Sequence, residues 1–500
     1  MNNECKVKID GKQLTVAKGL TLSEIVKGEK PCGGHGKCGK CRVIAKGDIS
    51  KPSAEENQLL LENEIARGIR LACLTIALGD CEIETFLPSK DEKILSEGVL
   101  PEFELDPQFS NYGVAIDIGT TTIAARLYTS DGYSFSETTL LNPQLNWGAD
   151  VISRIEAAID GKAEELTKAI RNALNDIFDT FATVIDTKKI DGVVITGNTV
   201  MLSLLTGQSV EPFSHAPFNA ERLFGETLTA RELSLSALSP DTKIYLPPCI
   251  SAFVGADITC ALIATRLCEC EDSAILADIG TNGEMALWHN GELTVCSTAA
   301  GPAFEGVGIS MGMRCAAGAI DKVEAENFQL KVHVIDDLEP TGICGSGLVD
   351  VVASLIEIGK LDESGYIEEE EITVKSNVVL TKKDIRMVQL AKSAVCAGLL
   401  TLIDSADLKP KDLQAFYVAG GFGNYLNKKN AAKIGLFPKE LSKTTRTVGN
   451  AALSGAAMIL LNSNFKRTVE SISKNATVLN LSKSPVFSEH YMMRMLFEER

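Results

Sequence analysis

The sequence predicts a multidomain chain: a small N-terminal α+β domain, a short linker, and a duplicated, two-lobed α/β module. Three observations carry this. Cysteines and glycines crowd into residues 32–41, flanked by short alternating strands. The loop Asp-Ile-Gly-Thr closes a strand twice, at Asp117 and at Asp278, 161 residues apart. Strands and helical stretches alternate around both copies, the pattern of α/β lobes. A 500-residue chain is also too long for one hydrophobic core. The expected boundaries are 1–87, a linker at 88–110, a first lobe at 111–270 and a second at 271–500.

Composition narrows the function classes. With 45% hydrophobic and 23% charged residues the chain folds into globular cores rather than remaining disordered. A formal net charge of −17 argues against nucleic acid, whose binding needs clustered Lys and Arg to displace counterions. The start is polar, and the longest apolar stretches, 451–461 and 393–403, are about half a bilayer span. The expectation is a cytoplasmic protein with no signal peptide and no membrane helix. The 14 cysteines of such a chain are not expected to form disulfides and need another role.

Four of them supply it. Cys32, Cys38 and Cys41 follow the spacing Cys-x5-Cys-x2-Cys, and Cys73 follows after 31 intervening residues. A 2Fe–2S cluster needs four thiolates converging on two irons. A tight loop and one distant segment provide them, and Gly33, Gly34, Gly36 and Gly39 let the loop backbone wrap closely. Lys6–Ile9 and Leu14–Val16 alternate about Gly11 as a hairpin, Leu22–Lys27 reads as a short helix and Arg42–Ala45 as a strand. Zinc, the rival occupant, prefers two close pairs of ligands, and only Cys38 and Cys41 form one. Gly34, Gly36 and Gly39 match a dinucleotide fingerprint by letter but lack its βαβ context. Cys5 and Cys81 read as small buried residues.

Pro88, Pro101 and Pro107 among many charges mark the linker. After it, strand Tyr112–Ile116 leads into Asp117-Ile-Gly-Thr-Thr-Thr122, and strand Ala274–Ala277 leads into Asp278-Ile-Gly-Thr-Asn-Gly-Glu284. A carboxylate at such a strand end holds Mg²⁺, mostly through water. Glycine admits phosphate close to the backbone, and threonine hydroxyls and main-chain N–H groups donate to its oxygens. Two facing copies would clamp the phosphates of ATP: Gly119, Thr120, Thr121 and Thr122 on one side, Gly280, Thr281, Asn282 and Gly283 on the other. No Gly-Lys pair is followed by Ser or Thr, so a P-loop is excluded.

The supporting elements read as follows. Leu166, Ile170, Leu174, Ile177, Phe181 and Val184 form a helical stripe, followed by strand Val193–Thr196 and a turn at Gly197-Asn198. Thr381 and Asp384 form a capping box opening a helix over 381–403. Strand Phe416–Val418 ends in Ala419-Gly420-Gly421-Phe422-Gly423, where Gly420 and Gly421 would let a purine lie against the backbone.

The repeated Asp-x-Gly-Thr loops and the late Gly-Gly pair resemble the superfamily of actin, sugar kinases and heat-shock chaperones. Over most of its length the chain resembles the reductive activators of corrinoid proteins, an N-terminal β-grasp 2Fe–2S ferredoxin domain joined to an actin-like (RNase H-like) two-lobed ATPase. The resemblance rests on Asn142-Pro-Gln144, Gly148-Ala-Asp150, Thr196-Gly-Asn-Thr199, Gly255-Ala-Asp257, Ser297-Thr-Ala-Ala-Gly-Pro-Ala-Phe-Glu305, Gly342-Ile-Cys-Gly-Ser-Gly347 and Ala419-Gly-Gly-Phe-Gly423. It implies ATP-dependent reduction of a corrinoid methyl-carrier protein from Co(II) to Co(I), an upstream low-potential electron donor, and cofactors 2Fe–2S, ATP and Mg²⁺; it leaves room for a homodimer. Asp117 and Asp278 would orient Mg²⁺, and either Asp257 or Glu284 would serve hydrolysis as the water-positioning carboxylate. The alternatives are ATP-coupled donation to another iron–sulfur enzyme, a redox-regulated small-molecule kinase, and a non-catalytic nucleotide-dependent scaffold. His35 reads as a solvated loop residue and His215 as a packed loop histidine. Cys249, Cys260, Cys296, Cys315, Cys344 and Cys396 read as small core residues.

Overall fold

The computed structural model describes residues 4–9, 12–26, 36, 41–60, 65, 66, 68–85, 100–421 and 425–497. Cys32, His35 and Cys38 lie outside them, as do Gly11 and the linker's first half. The chain divides into two compact units, residues 1–90 with 143–162, and residues 91–142 with 163–500.

In the first unit β1 (Glu4–Ile9) and β2 (Lys12–Ala17) form the expected antiparallel hairpin. With β3 (Arg42–Ile49), β4 (Ile69–Leu71) and β5 (Ala77–Thr85) they make one mixed sheet, ordered β2-β1-β5-β3-β4, in which β1 and β5 run parallel. Val7, Val43, Ala45 and Ile83 point from its inner face onto helix Leu22–Val26, and Cys5 and Cys81 are buried among them as expected. Helix Ala54–Leu59 is opened by a capping box from Ser53 and Glu56. The segment 143–162 carries helix Val151–Ala157, whose fully buried Arg154 donates to the Gly148 carbonyl at 3.0 Å and to Gln144 at 3.2 Å.

The second unit holds two six-stranded sheets built to one plan. In the first, β6 (Tyr112–Ile118), β7 (Thr122–Thr129) and β8 (Ser134–Leu141) form an antiparallel meander, and β9 (Ile190–Gly197) joins β6 in parallel. β10 (Glu226–Thr229) and β11 (Lys243–Leu246) complete the order β10-β11-β9-β6-β7-β8. In the second, β12 (Ala274–Ile279), β13 (Gly283–His289) and β14 (Glu292–Thr298) repeat the meander. A small sheet of β15 (Ala319–Glu326), β16 (Gln329–Val334) and β17 (Gly342–Ile343), then a hairpin of β18 (Glu371–Lys375) and β19 (Val378–Thr381), follow. The sheet resumes with β20 (Ala415–Ala419), parallel to β12, then β21 (Thr445–Gly449) and β22 (Thr477–Val478), giving β21-β20-β12-β13-β14-β22. The two duplicated loops are therefore the β6–β7 and β12–β13 turns of equivalent sheets.

Helix Ala163–Phe181 buries the predicted stripe from Leu166 to Phe181, but ends before Val184, which is 52% exposed. Helix Lys382–Ser405 starts at the Thr381–Asp384 capping box as expected. It is long and apolar enough to cross a membrane, yet most of it is buried inside the second lobe. Two shorter helices, Ala256–Thr265 and Ala451–Leu461, join the lobes: both are almost wholly buried and pack against each other in a core including Ile258, Ile263, Leu453 and Met458.

The linker expectation needs correction over residues 100–110. Here the chain is fixed onto the second unit: Asn462 donates to the Glu104 carbonyl at 2.7 Å, Phe103 meets Phe465 edge-on at 5.5 Å, and Phe109 is buried beneath Gly113 and Gly192. Charge and proline disguise a segment whose aromatic residues anchor it. His215 is likewise exposed and hydrogen-bonded to Ser214 at 2.6 Å, because Phe213 and Phe218 turn to Phe253 instead of onto it.

Candidate functional site: a nucleotide cleft and a thiol pair

The two equivalent sheets face each other across a cleft of about 1520 Å³, its open mouth included. Both loops line it. Asp117, Gly119, Thr120, Thr121 and Thr122 come from the first lobe, and Asp278, Gly280, Thr281, Asn282 and Glu284 from the second, with Asp257, Gly420 and Gly421. Gly283 is packed behind the loop under Thr298 and Met285 instead. Each loop is closed by its own short hydrogen bond, Gly119 N–H to the Thr122 carbonyl at 3.0 Å and Gly280 N–H to the Asn282 carbonyl at 3.1 Å. The buried Asn142 clamps the first loop from outside, donating to the Gly119 carbonyl at 2.8 Å.

Two asparagines to which the sequence assigns no site role stitch the lobes together. Asn198 caps helix Thr199–Thr206 through its Oδ1 and donates Nδ2 to Glu284 of the other lobe at 3.2 Å. Asn450 caps helix Ala451–Leu461 and donates to Asp117 of the other lobe at 2.9 Å. The signal exists: a Gly-Asn pair ends a strand and opens an apolar helix at both 197–198 and 449–450.

The carboxylates crowd one another. Burial, then the proximity of Asp278, pushes the Asp117 carboxyl up to about 7 against the pull of Asn450. Burial and Asp117 push Asp257 to about 7, and burial with Asp257 and Glu305 does the same for Asp278. Burial, Asp257 and Asp278 raise Glu284 well above the usual range. This donor set fits a hydrated divalent cation, which would offset the repulsion, and the threonine hydroxyls and loop N–H groups fit phosphate oxygens. The sign of the shifts gives a prediction. Carboxyls with raised folded-state pKa contribute stability that is fully present below about pH 4 and is lost as pH rises towards 7. Over that window the melting temperature of the nucleotide-free protein should fall from this source, and saturating Mg²⁺ should recover it. A pH profile of the melting temperature that Mg²⁺ leaves unmoved would contradict the assignment.

One cleft wall departs from the sequence expectation. Cys315 is half-buried there rather than in the core, with its Sγ 3.2 Å from that of Cys344. Donation from the Cys315 thiol, helped by Ser346 and the Gly347 N–H, pulls Cys344 down to about 7. Cys249, Cys260, Cys296, Cys344 and Cys396 are buried as expected.

In the first unit the sulfurs of Cys41 and Cys73 converge to 3.1 Å, and the Cys73 N–H points at the Cys41 sulfur at 3.4 Å. Gly36, in the cysteine loop, has φ +66°, and a Cβ there would stand 2.8 Å from Leu74. Two converging thiols with an N–H aimed at sulfur fit part of the donor set that an iron–sulfur cluster would need. The Cys73 turn is held by Glu56, whose buried carboxylate accepts from Arg70 at 2.8 and 3.1 Å, Leu71 N–H at 2.9 Å, Thr75 Oγ1 at 3.1 Å and Ser53 N–H at 3.1 Å. Burial alone would raise the Glu56 carboxyl, but Arg70 and these N–H groups hold it below its usual range.

The second unit thus carries two equivalent sheets with matching carboxylate–glycine–threonine turns, and its second lobe is of the ASKHA class. Residues 112–269 match the family description "RACo middle region", and residues 272–500 match "C-terminal domain of RACo the ASKHA domain". The chain is 34% identical to the corrinoid activation enzyme RamQ of Eubacterium limosum, over 77% of this chain and 70% of that protein. It is 25% identical to the [Co(II) methylated amine-specific corrinoid protein] reductase of Methanosarcina barkeri, over 77% of each. A solved structure of a reductive activator for corrinoid, iron–sulfur protein superimposes with a TM-score of 0.72 at 28% identity, covering 99% of this chain and 98% of that one. The chain belongs to this family, the reductive activators of corrinoid proteins.

Proposed function

We propose that this enzyme carries out ATP-dependent reductive activation of a corrinoid protein, delivering one electron that converts its inactive Co(II) to Co(I). The observation that carries the reading is the union, in one chain of this family, of a converging thiol pair and a duplicated carboxylate–threonine cleft. Cys32, Cys38, Cys41 and Cys73 would hold a 2Fe–2S cluster on a ferredoxin-type sheet; when bound, it supplies single electrons at roughly −400 mV. Each further 100 mV of reduction costs about 2.3 kcal/mol per electron. The ATPase half lets nucleotide binding and hydrolysis contribute that energy, and a separate low-potential donor refills the first unit.

Within the cleft, Asp117 and Asp278 would hold hydrated Mg²⁺. The hydroxyls of Thr121 and Thr281 and the loop N–H groups would donate to phosphate. Gly420 and Gly421, which line the cleft, would let a purine lie against the backbone. Of the two carboxylates considered for hydrolysis, Asp257 is the better base. It keeps a surface towards the cleft, whereas Glu284 is buried and tied to Asn198.

The test is anaerobic. The reduced protein is mixed with a Co(II) corrinoid protein, and Co(I) absorbance is followed with and without Mg–ATP. Co(I) should accumulate only with ATP, and be abolished by Cys41→Ser and by Asp278→Ala. ATP-independent Co(I) would remove the coupling to nucleotide, and no Co(I) despite a reducible cluster and active hydrolysis would send the electron to another acceptor.

A further inference from the structure

Glu305 belongs to neither duplicated loop, yet its carboxylate joins them. It ends the single helical turn Pro302–Glu305, which follows β14. Its Oε2 accepts from the Thr121 hydroxyl at 2.6 Å and from the Thr281 hydroxyl at 3.0 Å, and its Oε1 accepts from the Thr281 main-chain N–H at 2.7 Å. The first donor belongs to one lobe and the other two to the opposite lobe. The turn is anchored beside them, because the Gly301 N–H donates to the Thr281 carbonyl at 2.9 Å. A Cβ at Gly280 would stand only 3.1 Å from Oε1, so the second loop leaves bare backbone where this carboxylate rests.

These donors are the ones a phosphate would use. A hydroxyl or N–H has one proton to give, so the three cannot serve a carboxylate and a phosphate together. An ionised carboxylate left among them would also meet the incoming phosphate as a like charge. We propose that Glu305 is an internal competitor for the phosphate site: in the nucleotide-free chain it takes the donors of Thr121 and Thr281, and it surrenders them when the phosphates of ATP enter. The means of withdrawal are local. The turn is entered at Gly301, φ +80°, where an added Cβ would meet no described atom within 4 Å, while Gly306, φ +78°, packs against the Gly312–Met313 backbone and fixes its far end. Nucleotide affinity is thereby set below what the cleft's donors alone would give, and phosphate entry is felt by a segment outside both loops.

The inference rests on the reading of the cleft as an ATP site, and the experiment separates the two. Equilibrium binding of the Mg²⁺ complex of a non-hydrolysable ATP analogue is measured for the full-length wild type, Glu305→Ala and Glu305→Gln. Glu305→Ala should bind about tenfold more tightly, the scale of one charge-assisted contact no longer to be displaced. Glu305→Gln, which keeps the shape of the side chain and one acceptor oxygen, should fall between it and the wild type, and it stands in if the alanine variant fails to fold. Binding by the wild type that the substitutions leave unchanged or weaken would overturn the inference alone; slower ATP hydrolysis at unchanged affinity would do so too, making Glu305 a group at the reacting phosphate. Absence of binding by all three proteins would overturn the nucleotide reading itself and the inference with it.

Discussion

Glu56→Ala is expected to abolish iron binding by the first unit while leaving ATP hydrolysis by the second intact. Glu56 has no exposed surface and Arg70 is 4% exposed, so their pair is dry. A buried pair broken from one side strands the other charge, at a cost of about 3–5 kcal/mol. A small unit has little stability to spare, since domains of this size bury the smallest share of their surface. The loss is also local to the chemistry. The same carboxylate holds Leu71 N–H and Thr75 Oγ1, the two ends of the turn that presents Cys73 to Cys41. Iron content, visible absorbance and the melting of the first unit report the effect, with ATP turnover as the internal control. Lys8→Ala provides the contrast: Lys8 and Glu82 also meet at 2.7 Å, but both are about half exposed, and such a pair is screened by water and salt. Full iron content and an unchanged melting profile in Glu56→Ala would show that the buried pair does not hold the cluster turn.

What the sequence makes legible, and what it hides, follows from how far each interaction reaches along the chain. The β1–β2 hairpin, the Thr381–Asp384 cap and both Asp-Ile-Gly-Thr loops satisfy needs of their own backbone within a few residues, so they leave a local pattern. Glu56 is readable as a cap residue, since Ser53 and Glu56 are three apart, but its ion pair with Arg70 spans 14 residues and leaves no spacing signature. Asn198 is visible as a turn and Asn450 as part of a second Gly-Asn pair. Their partners, Glu284 and Asp117, lie 86 and 333 residues away and are set by topology alone. Glu305 is hidden for the same reason: its donors are 184 and 24 residues distant. Cys315 reads as a core residue because it sits between arginine and alanines, and only the fold turns that stretch into a cleft wall. The errors over residues 100–110 and at His215 share one cause. Polar composition suggests exposure in the first case and flanking phenylalanines suggest burial in the second, though burial depends on which surface an aromatic ring finds.

Gly455→Val is expected to damage the second unit severely. Gly455 lies inside helix Ala451–Leu461, where glycine costs about 1 kcal/mol relative to alanine and nothing in the turn geometry asks for it. The neighbouring helix explains its presence. A Cβ at this position would stand 2.0 Å from the Cys260 carbonyl oxygen and 2.6 Å from its Cα. Those atoms are backbone, so no side chain can rotate away and the helices themselves must part. Overpacking of a tight core typically costs about 1–3 kcal/mol, and a branched side chain against main chain belongs at the upper end or beyond. The consequence travels to the cleft through a short rigid path. Asn450 is the cap of this same helix, and its amide holds Asp117 across the lobes at 2.9 Å. A helix pushed outward carries the cap with it, releases Asp117, and separates the two loops whose donors must reach one phosphate chain. Gly455→Val should therefore lower the melting temperature and weaken Mg–nucleotide binding together, with Gly455→Ala reproducing both to a smaller degree and iron binding by the first unit unaffected. A variant that melts early yet binds nucleotide as tightly as the wild type would show that the helix crossing supports the core without setting the geometry of the cleft.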